Sequence, residues 1–176
     1  MSNWYLLVGF IVLQRLIELL ISRYNTKRLL EEGAQEHGAR HYPVIVVLHM
    51  AWIASLVIFV PYNAPLNWLL LAVFVVLQLA RVWVLLSLGR YWTTRIITVP
   101  DEPLVRRGPF RWVSHPNYIV VEAEIIVVPL IAGAWELSLV FGALNAMVLA
   151  WRIRIEEQAL APRRNQTNGS GRTRIS

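Results

Sequence analysis

The 176-residue chain contains no cysteine, which excludes disulfides, thiolate nucleophiles and cysteine-ligated metals. It also lacks the glycine-rich phosphate loop of soluble nucleotide-binding domains. No segment resembles a cleaved signal peptide, because the apolar stretch 4–21 has neither a basic leader nor a small-residue cleavage site. We therefore expect that stretch to remain in the mature protein.

Histidine is scarce, with four residues in the chain. No H-x-x-x-H pair with a third ligand occurs near them, so we expect no metal site. His41 is expected at a helix end, and His49 as a buried, hydrogen-bonded side chain.

Apolar residues dominate the composition: 56% of the chain is hydrophobic and the mean hydropathy is +0.48. These values are typical of an integral membrane protein. The formal net charge is +6, but the basic residues flank apolar segments instead of forming a soluble basic face. Membrane topology explains them better than a nucleic-acid partner does.

Five segments approach the roughly 20 apolar residues that a helix needs to cross a bilayer. The sequence therefore predicts an all-α polytopic membrane protein with about five transmembrane helices, the last two forming a tight hairpin. Residues 1–162 form a single membrane-embedded domain, and the polar residues 163–176 are expected to be a disordered tail. The predicted spans are Asn3–Ser22, Pro43–Val60, Leu66–Leu88, Asn117–Gly133 and Trp135–Trp151.

Basic residues occur in alternate connections, which predicts the orientation of the chain. The short connections Pro61–Pro65 and Gly133–Trp135 contain no Lys or Arg. Five spans then place the N-terminus outside and the C-terminus in the cytosol. The cytosolic basic residues are Arg23, Lys27, Arg28 and Arg40; Arg90, Arg95, Arg106, Arg107 and Arg111; and Arg152, Arg154, Arg163, Arg164, Arg172 and Arg174.

Several charged residues fall inside the predicted spans, where each costs about 2.5–3.5 kcal/mol at a helix centre. Arg15 and Glu18 share a helix face, so they either neutralise each other or face a substrate. Glu122 and Glu124 lie on nearly opposite faces of one helix. Glu122 is either a shallow interfacial carboxylate or functional, whereas the deeper Glu124, like Arg81, needs a protein or aqueous partner.

The stretch 106–118 concentrates basic, aromatic and imidazole groups between apolar segments. Gly108–Pro109 marks a turn, and Pro116 is suited to the first position of a helix. His115 then lies beside free backbone donors and the positive end of the helix dipole. A carboxylate or a ribose could bind there.

Two adjacent carboxylates, Glu156 and Glu157, lie near the end of the last span, together with Arg152. Acidic side chains are unfavourable at a helix C-terminus. They form either a solvated charge cluster or part of a binding site.

These residues resemble the isoprenylcysteine carboxyl methyltransferase family. The resemblance rests on Gly108–Arg111, then His115–Tyr118, then Arg152 with Glu156–Glu157 and Leu160. The N-terminal half resembles a small bacterial branch associated with type III polyketide synthases. Its matching residues are Arg15, Glu18, Asn25, Gly33, Glu36, Gly38, His41–Pro43, His49 and the run Leu88–Ile96.

The resemblance implies an enzyme in the bacterial inner membrane that binds S-adenosylmethionine in a cytosol-facing pocket. Its acceptor would be a lipophilic molecule, an alkylpyrone or alkylresorcinol, that enters from the membrane lipid. The methyl group would be transferred to an oxygen of this acceptor. Glu124 or His49 would act as base, with Arg81 or Arg95 steadying the anion. The implied cofactor-binding residues are Arg111, His115, Pro116, Tyr118, Glu156 and Glu157.

Two departures from the family pattern bear on the substrate. Ser114 occupies a position where the family commonly has arginine, so one cofactor contact is either missing or supplied by Arg111. The chain also lacks the aromatic, glycine-containing extension that prenylcysteine enzymes carry after the position of Leu160. A prenylcysteine carboxylate is therefore the less favoured, alternative acceptor. Two other readings stay open: a non-catalytic transporter or assembly protein, and a sterol-type reductase using a nicotinamide cofactor.

Overall fold

The computed structural model describes residues 3–39, 42–100, 102 and 105–170, with side chains as far as Ala161. Within these residues the chain forms five α-helices and two short strands, joined by single-turn helices at Gly89–Tyr91 and Gly108–Arg111. The elements are α1 Asn3–Glu31, β1 Gln35–His37, α2 Tyr42–Ile58, α3 Trp68–Leu88, β2 Ile96–Thr98, α4 Pro116–Ile131 and α5 Trp135–Ser170.

Three helical segments are long and apolar enough to cross a bilayer, namely Asn3–Glu31, Trp68–Tyr91 and Trp135–Ala161. Helices α2 and α4 have 17 and 16 residues, fewer than the roughly 20 that span a full hydrocarbon core. Large apolar side chains cover the outer surface of the bundle, as lipid contact requires. Examples are Leu20, Ile58, Leu69, Leu79, Leu86, Leu139 and Met147.

The prediction ended the first helix at Ser22, but α1 continues to Glu31. Hydropathy detects the bilayer crossing, whereas the helix itself extends beyond it. Pairs four residues apart, Lys27 with Glu31 and Arg28 with Glu32, support the polar extension.

Polar groups set the other helix boundaries. The Asn67 side chain caps α3 by accepting from Leu69 N and Leu70 N. Pro116 is the first residue of α4 after His115 at the N-cap, which confirms the predicted helix start. A cavity lies at the end of the bundle where α3 ends and α4 begins, and we call this end the cavity end.

The apolar core lies away from the cavity end, between α1, α2, α3 and α4. Trp4 and Trp52 are fully buried there, and Trp4 Nε1 donates to the Leu56 carbonyl at 3.2 Å. Ile125 and Val128 supply the α4 side of this core. Charged side chains lie next to it, and the cavity lies beyond them.

The prediction of a purely helical chain omitted a short sheet at the cavity end. β1 and β2 pair antiparallel, with Gln35 opposite Thr98 and His37 opposite Ile96. The β-branched residues of β2 favour an extended backbone, but a run of three residues is too short to produce a period. The sheet ties the segment after α1 to the segment after α3.

Some predictions concern residues that the structure does not describe. Arg40, His41 and residues 171–176 lie outside the described part of the chain, and side chains beyond Ala161 are also outside it. The backbone of residues 163–170 continues α5, and the prediction of a disordered tail stays untested for residues 171–176.

Candidate active site

A cavity of about 690 Å³ opens at the cavity end of the bundle. This volume lies within the range of small-molecule and cofactor sites. One wall is polar and comes from the start of α4 and the far part of α5. The other is apolar and comes from Leu88, Ile97, Val99 and Phe110, whereas the apolar Leu160 lies on α5 near Glu156.

The polar wall is organised around Tyr118. Its hydroxyl donates a short hydrogen bond to Glu156 Oε2. The His115 ring stacks on the Tyr118 ring, with centroids 5.3 Å apart and planes 8° apart, and His115 Nδ1 lies 3.8 Å from Glu156 Oε2. The structure therefore brings together three side chains that the sequence predicted to share a site.

Three buried polar atoms of cavity-lining residues have no hydrogen-bond partner among the described residues. They are Trp92 Nε1, His115 Nε2 and Asn117 Oδ1. A buried polar atom without a partner costs about 1–3 kcal/mol. All three residues also line the cavity, so its polar lining is not fully satisfied within the protein.

Arg152 connects the polar wall to the loop before β2. Its Nε donates to the Tyr118 hydroxyl at 2.7 Å and its Nη2 donates to the Thr94 carbonyl at 2.8 Å. Thr94 is itself fixed, because its N–H donates to Ser22 Oγ at 2.8 Å. Helices α1, α4 and α5 thus converge on this loop.

Three further arginines line the cavity. Arg95 pairs with Glu36 at 2.9 Å and lies over the Tyr42 ring. Arg106 and Arg111 form no ion pair with a carboxylate in the described part of the chain, although Arg111 lies 5.9 Å from the Trp112 ring centroid. The cavity therefore carries more positive than negative charge.

A buried network of charges separates the cavity from the apolar core. Arg81, which is 2% exposed, donates to Glu124 Oε1 at 2.7 Å and to both Glu18 oxygens at 3.1 Å. Arg15 bridges the same carboxylates, at 3.0 Å to Glu18 and 2.7 Å to Glu124. Gln78 also donates to Glu124 at 2.9 Å. We call Arg15, Glu18, Arg81 and Glu124 the charge network.

The network confirms the predicted Arg15–Glu18 pair and the opposite orientations of the two α4 carboxylates. Glu122 faces α5, where its Oε2 accepts from Asn145 Nδ2 at 2.7 Å. Glu124 faces α1 and α3. Neither Glu124 nor Arg81 lines the cavity.

The remaining predicted site residues lie at different distances from the cavity. His49 is hydrogen-bonded to the Ile45 carbonyl at 2.9 Å, as predicted, but it is only partly buried and does not line the cavity. Pro116 is buried at the first turn of α4. Glu157 is 49% exposed and lies 3.9 Å from His115 Nε2, whereas Glu156 lines the cavity.

Sequence reasoning did not select Trp92, Thr94 or Asn117 as site residues. Asn117 follows Pro116 in the first turn of α4, and that position could have singled it out. Trp92 and Thr94 lie in an irregular loop, where no periodicity indicates which side chains face inward. Thr94 is identified only by its contacts with Ser22 and Arg152, and Trp92 only by its place in the cavity lining.

The fold and cavity define a helical membrane protein with a polar, ligand-sized cavity at one end of its bundle. The family model described as "Isoprenylcysteine carboxyl methyltransferase (ICMT) family" matches residues 68–162. The chain belongs to this family. The match runs from α3 into α5 and includes the whole polar wall, and membership implies a methyltransferase.

Two curated relatives are similar over most of the chain. "Uncharacterized protein YpbQ" of Bacillus subtilis (strain 168) is 38% identical over 161 residues, covering 89% of this chain and 96% of the relative. An "Uncharacterized protein" of Haemophilus influenzae is 29% identical over 154 residues, covering 84% and 88%. No solved structure matches the chain significantly.

Proposed function

We propose that this protein is an S-adenosylmethionine-dependent methyltransferase that methylates an oxygen of a lipophilic acceptor, an alkylpyrone or alkylresorcinol. The observation that carries the proposal is the cluster of His115, Tyr118 and Glu156, which α4 and α5 bring together at one cavity. This cluster lies in the segment that matches the methyltransferase family.

The residues of the cavity fit the chemistry of this cofactor. Glu156 can accept from ribose hydroxyls or an ammonium group, because its Oε1 has no hydrogen-bond partner among the described residues. Arg111 can pair with a carboxylate. The cavity volume suits a ligand of nucleoside size.

We assign roles on the polar wall accordingly. His115 and Tyr118 form a stacked surface against which the cofactor is held, and Glu156 orients its donors. Pro116 fixes the start of α4 and so holds the backbone donors of its first turn toward the cavity. Glu157 acts at the rim, next to His115. When bound, the cofactor supplies a sulfonium methyl group for in-line displacement by an oxygen nucleophile.

The acceptor is proposed to lie against the apolar wall, with its reacting oxygen toward the arginines. Leu88, Ile97 and Phe110 provide a surface for an alkyl chain. The positive charge of Arg106 and Arg111, which have no carboxylate partner among the described residues, favours an acceptor oxygen that carries negative charge. An enolate oxygen fits this description, and so does the carboxylate of the alternative prenylcysteine acceptor, whereas the phenolic oxygen of an alkylresorcinol must first lose its proton.

An acidic acceptor reduces the demand for a strong base. A pyrone enol is largely ionised near neutral pH, so positioning and exclusion of water supply much of the rate. Glu124 accepts from two guanidiniums and does not line the cavity, so it is not placed to meet the acceptor. Of the residues predicted to be catalytic, we therefore favour Arg95, which lines the cavity, over Glu124, Arg81 and His49.

We further propose that the chain crosses a bacterial inner membrane five times, with the cavity facing the cytosol. The basic residues of the connections at the cavity end support this orientation. The cavity would then face the compartment that contains S-adenosylmethionine, while the acceptor reaches it from the adjoining lipid.

The test is binding of S-adenosylhomocysteine to the purified protein in lipid nanodiscs, measured by calorimetry. We expect wild type to bind, and His115→Ala and Glu156→Ala to lose at least about tenfold in affinity, since each removes a polar contact of the ligand. Glu136→Gln is the matched control, because this exposed carboxylate lies at the opposite end of α5.

Methyl transfer from radiolabelled S-adenosylmethionine to alkylpyrones, alkylresorcinols and prenylcysteines then identifies the acceptor. A folded wild type that binds no S-adenosylhomocysteine would exclude the methyltransferase proposal. Binding of a nicotinamide dinucleotide instead would favour the reductase. The transporter reading predicts that neither ligand binds.

A further inference from the structure

Arg152 differs from the other arginine of the same helix segment. Arg152 is 7% exposed, whereas Arg154, two residues later on α5, is exposed. Burying a guanidinium without a carboxylate partner is costly, and Arg152 forms no ion pair in the described part of the chain. Its two hydrogen bonds go to the Tyr118 hydroxyl and the Thr94 carbonyl. Because this burial is costly, we expect Arg152 to have a functional role.

The chemistry of the guanidinium fixes the direction of the hydrogen bonds around Tyr118. A guanidinium donates and never accepts. At 2.7 Å from Arg152 Nε, the Tyr118 oxygen must therefore act as the acceptor of that bond. The single hydroxyl proton of Tyr118 is left to point elsewhere, and Glu156 Oε2 is the acceptor that receives it.

The other end of Arg152 is held on a rigid support. The Thr94 N–H and the Thr94 hydroxyl both contact Ser22 Oγ at 2.8 Å, and the Thr94 hydroxyl also lies 3.3 Å from the Tyr42 hydroxyl. Helices α1 and α2 thus fix the residue whose carbonyl accepts from Arg152 Nη2. Arg152 cannot turn away from Tyr118 without giving up this bond.

We infer that Arg152 is a positioning residue that acts on the cofactor through Tyr118 and Glu156. It directs the Tyr118 proton onto Glu156 Oε2, which keeps the carboxylate in one orientation and leaves Oε1 facing the ligand. This inference rests on the proposed function, because it assigns Glu156 to the cofactor. Arg152 itself does not have to touch the cofactor or the acceptor.

The experiment is a double-mutant cycle with Arg152→Gln and Tyr118→Phe, read out as the dissociation constant of S-adenosylhomocysteine in nanodiscs. Loss of a hydrogen bond to a charged group predicts that each single variant binds about 10- to 100-fold more weakly. The double variant should bind about as weakly as the weaker single variant, because both changes break the same chain of hydrogen bonds.

Two further variants separate positioning from a structural role. Arg154→Gln is the matched control and should bind like wild type. Arg152→Lys keeps a donor that can reach the Tyr118 hydroxyl, so it should recover part of the affinity lost in Arg152→Gln. In the methyl-transfer assay, Arg152→Gln should raise KM for S-adenosylmethionine more than it lowers kcat.

The outcomes distinguish this inference from the proposed function. If wild type binds and folded Arg152→Gln binds equally well, the role of Arg152 is refuted while the methyltransferase proposal stands. Additive losses in the double variant would also refute it. If wild type itself binds no S-adenosylhomocysteine, both the role of Arg152 and the methyltransferase proposal are refuted. If Arg152→Gln fails to fold, the two single variants Tyr118→Phe and Arg152→Lys replace it in the test. The inference is overturned if both bind S-adenosylhomocysteine as tightly as wild type.

Discussion

Replacing Glu124 by glutamine should destabilise the fold far more than its position in one short helix indicates. The charge network is neutral, since it contains two guanidiniums and two carboxylates. Glutamine removes one negative charge and leaves a net positive charge next to Arg81, which is 2% exposed. Breaking a buried ion pair by removing one partner costs about 3–5 kcal/mol.

Glu122→Gln is the matched control for this substitution. It makes the same chemical change two residues earlier in α4, but Glu122 accepts from the neutral amide of Asn145 and glutamine can still accept there. We expect a loss of about 1 kcal/mol or less. The free energy of unfolding can be compared by titration with sodium dodecyl sulfate in mixed micelles, alongside methyl-transfer turnover of the folded fraction.

A charge-balanced double variant sharpens the test. Arg81→Met with Glu124→Leu removes one charge of each sign and leaves Arg15 paired with Glu18. Because buried ion pairs can be replaced by apolar side chains at little cost, the double variant should be more stable than Glu124→Gln. The reasoning fails if Glu124→Gln unfolds like wild type but turns over no substrate, since Glu124 would then be the base that the sequence predicted.

Three further substitutions test other parts of the structure. Gly108→Ala should lower the free energy of unfolding by about 2–4 kcal/mol. The reasons are a φ of +58° and a Cβ that would come within 2.0 Å of Ser87 Oγ on α3. Gly9→Ala is the control and should cause no loss, because nothing lies within 4 Å of its added Cβ. Asn67→Ala should cost about 1 kcal/mol through the lost cap of α3. Arg95→Gln should change the free energy of unfolding by less than about 1 kcal/mol, because its ion pair with Glu36 is solvent-exposed. It should nevertheless raise KM for the acceptor. Unchanged kinetics would show that Arg95 does not act in the site.

The helices could be predicted from the sequence because lipid contact leaves long apolar segments. The same signal could not give the end of α1, since its polar extension beyond Ser22 is stabilised by pairs such as Arg28 with Glu32. It also could not give the sheet. The pairing of Gln35 with Thr98 joins segments more than 60 residues apart and depends on how α1 and α3 pack.

The candidate site was predictable where function and helix chemistry coincide. Pro116 marks the start of α4, and the helix start alone brings His115 and Tyr118 to the same wall. The partner of Tyr118, Glu156, lies on another helix and followed only from resemblance to a family. The roles of Arg152 and Thr94 required three-dimensional contacts, because neither residue has a local pattern that distinguishes it from its neighbours.

The neutrality of the charge network bears on how the cavity selects its ligands. A net charge buried next to the cavity would act on bound groups with little screening. Since Arg15 and Arg81 are balanced by Glu18 and Glu124, the network contributes no net charge to the site. The positive surplus of the cavity therefore comes from loop arginines such as Arg111. Substitutions in the loops should alter the preference for anionic acceptors, whereas substitutions in the network should alter stability.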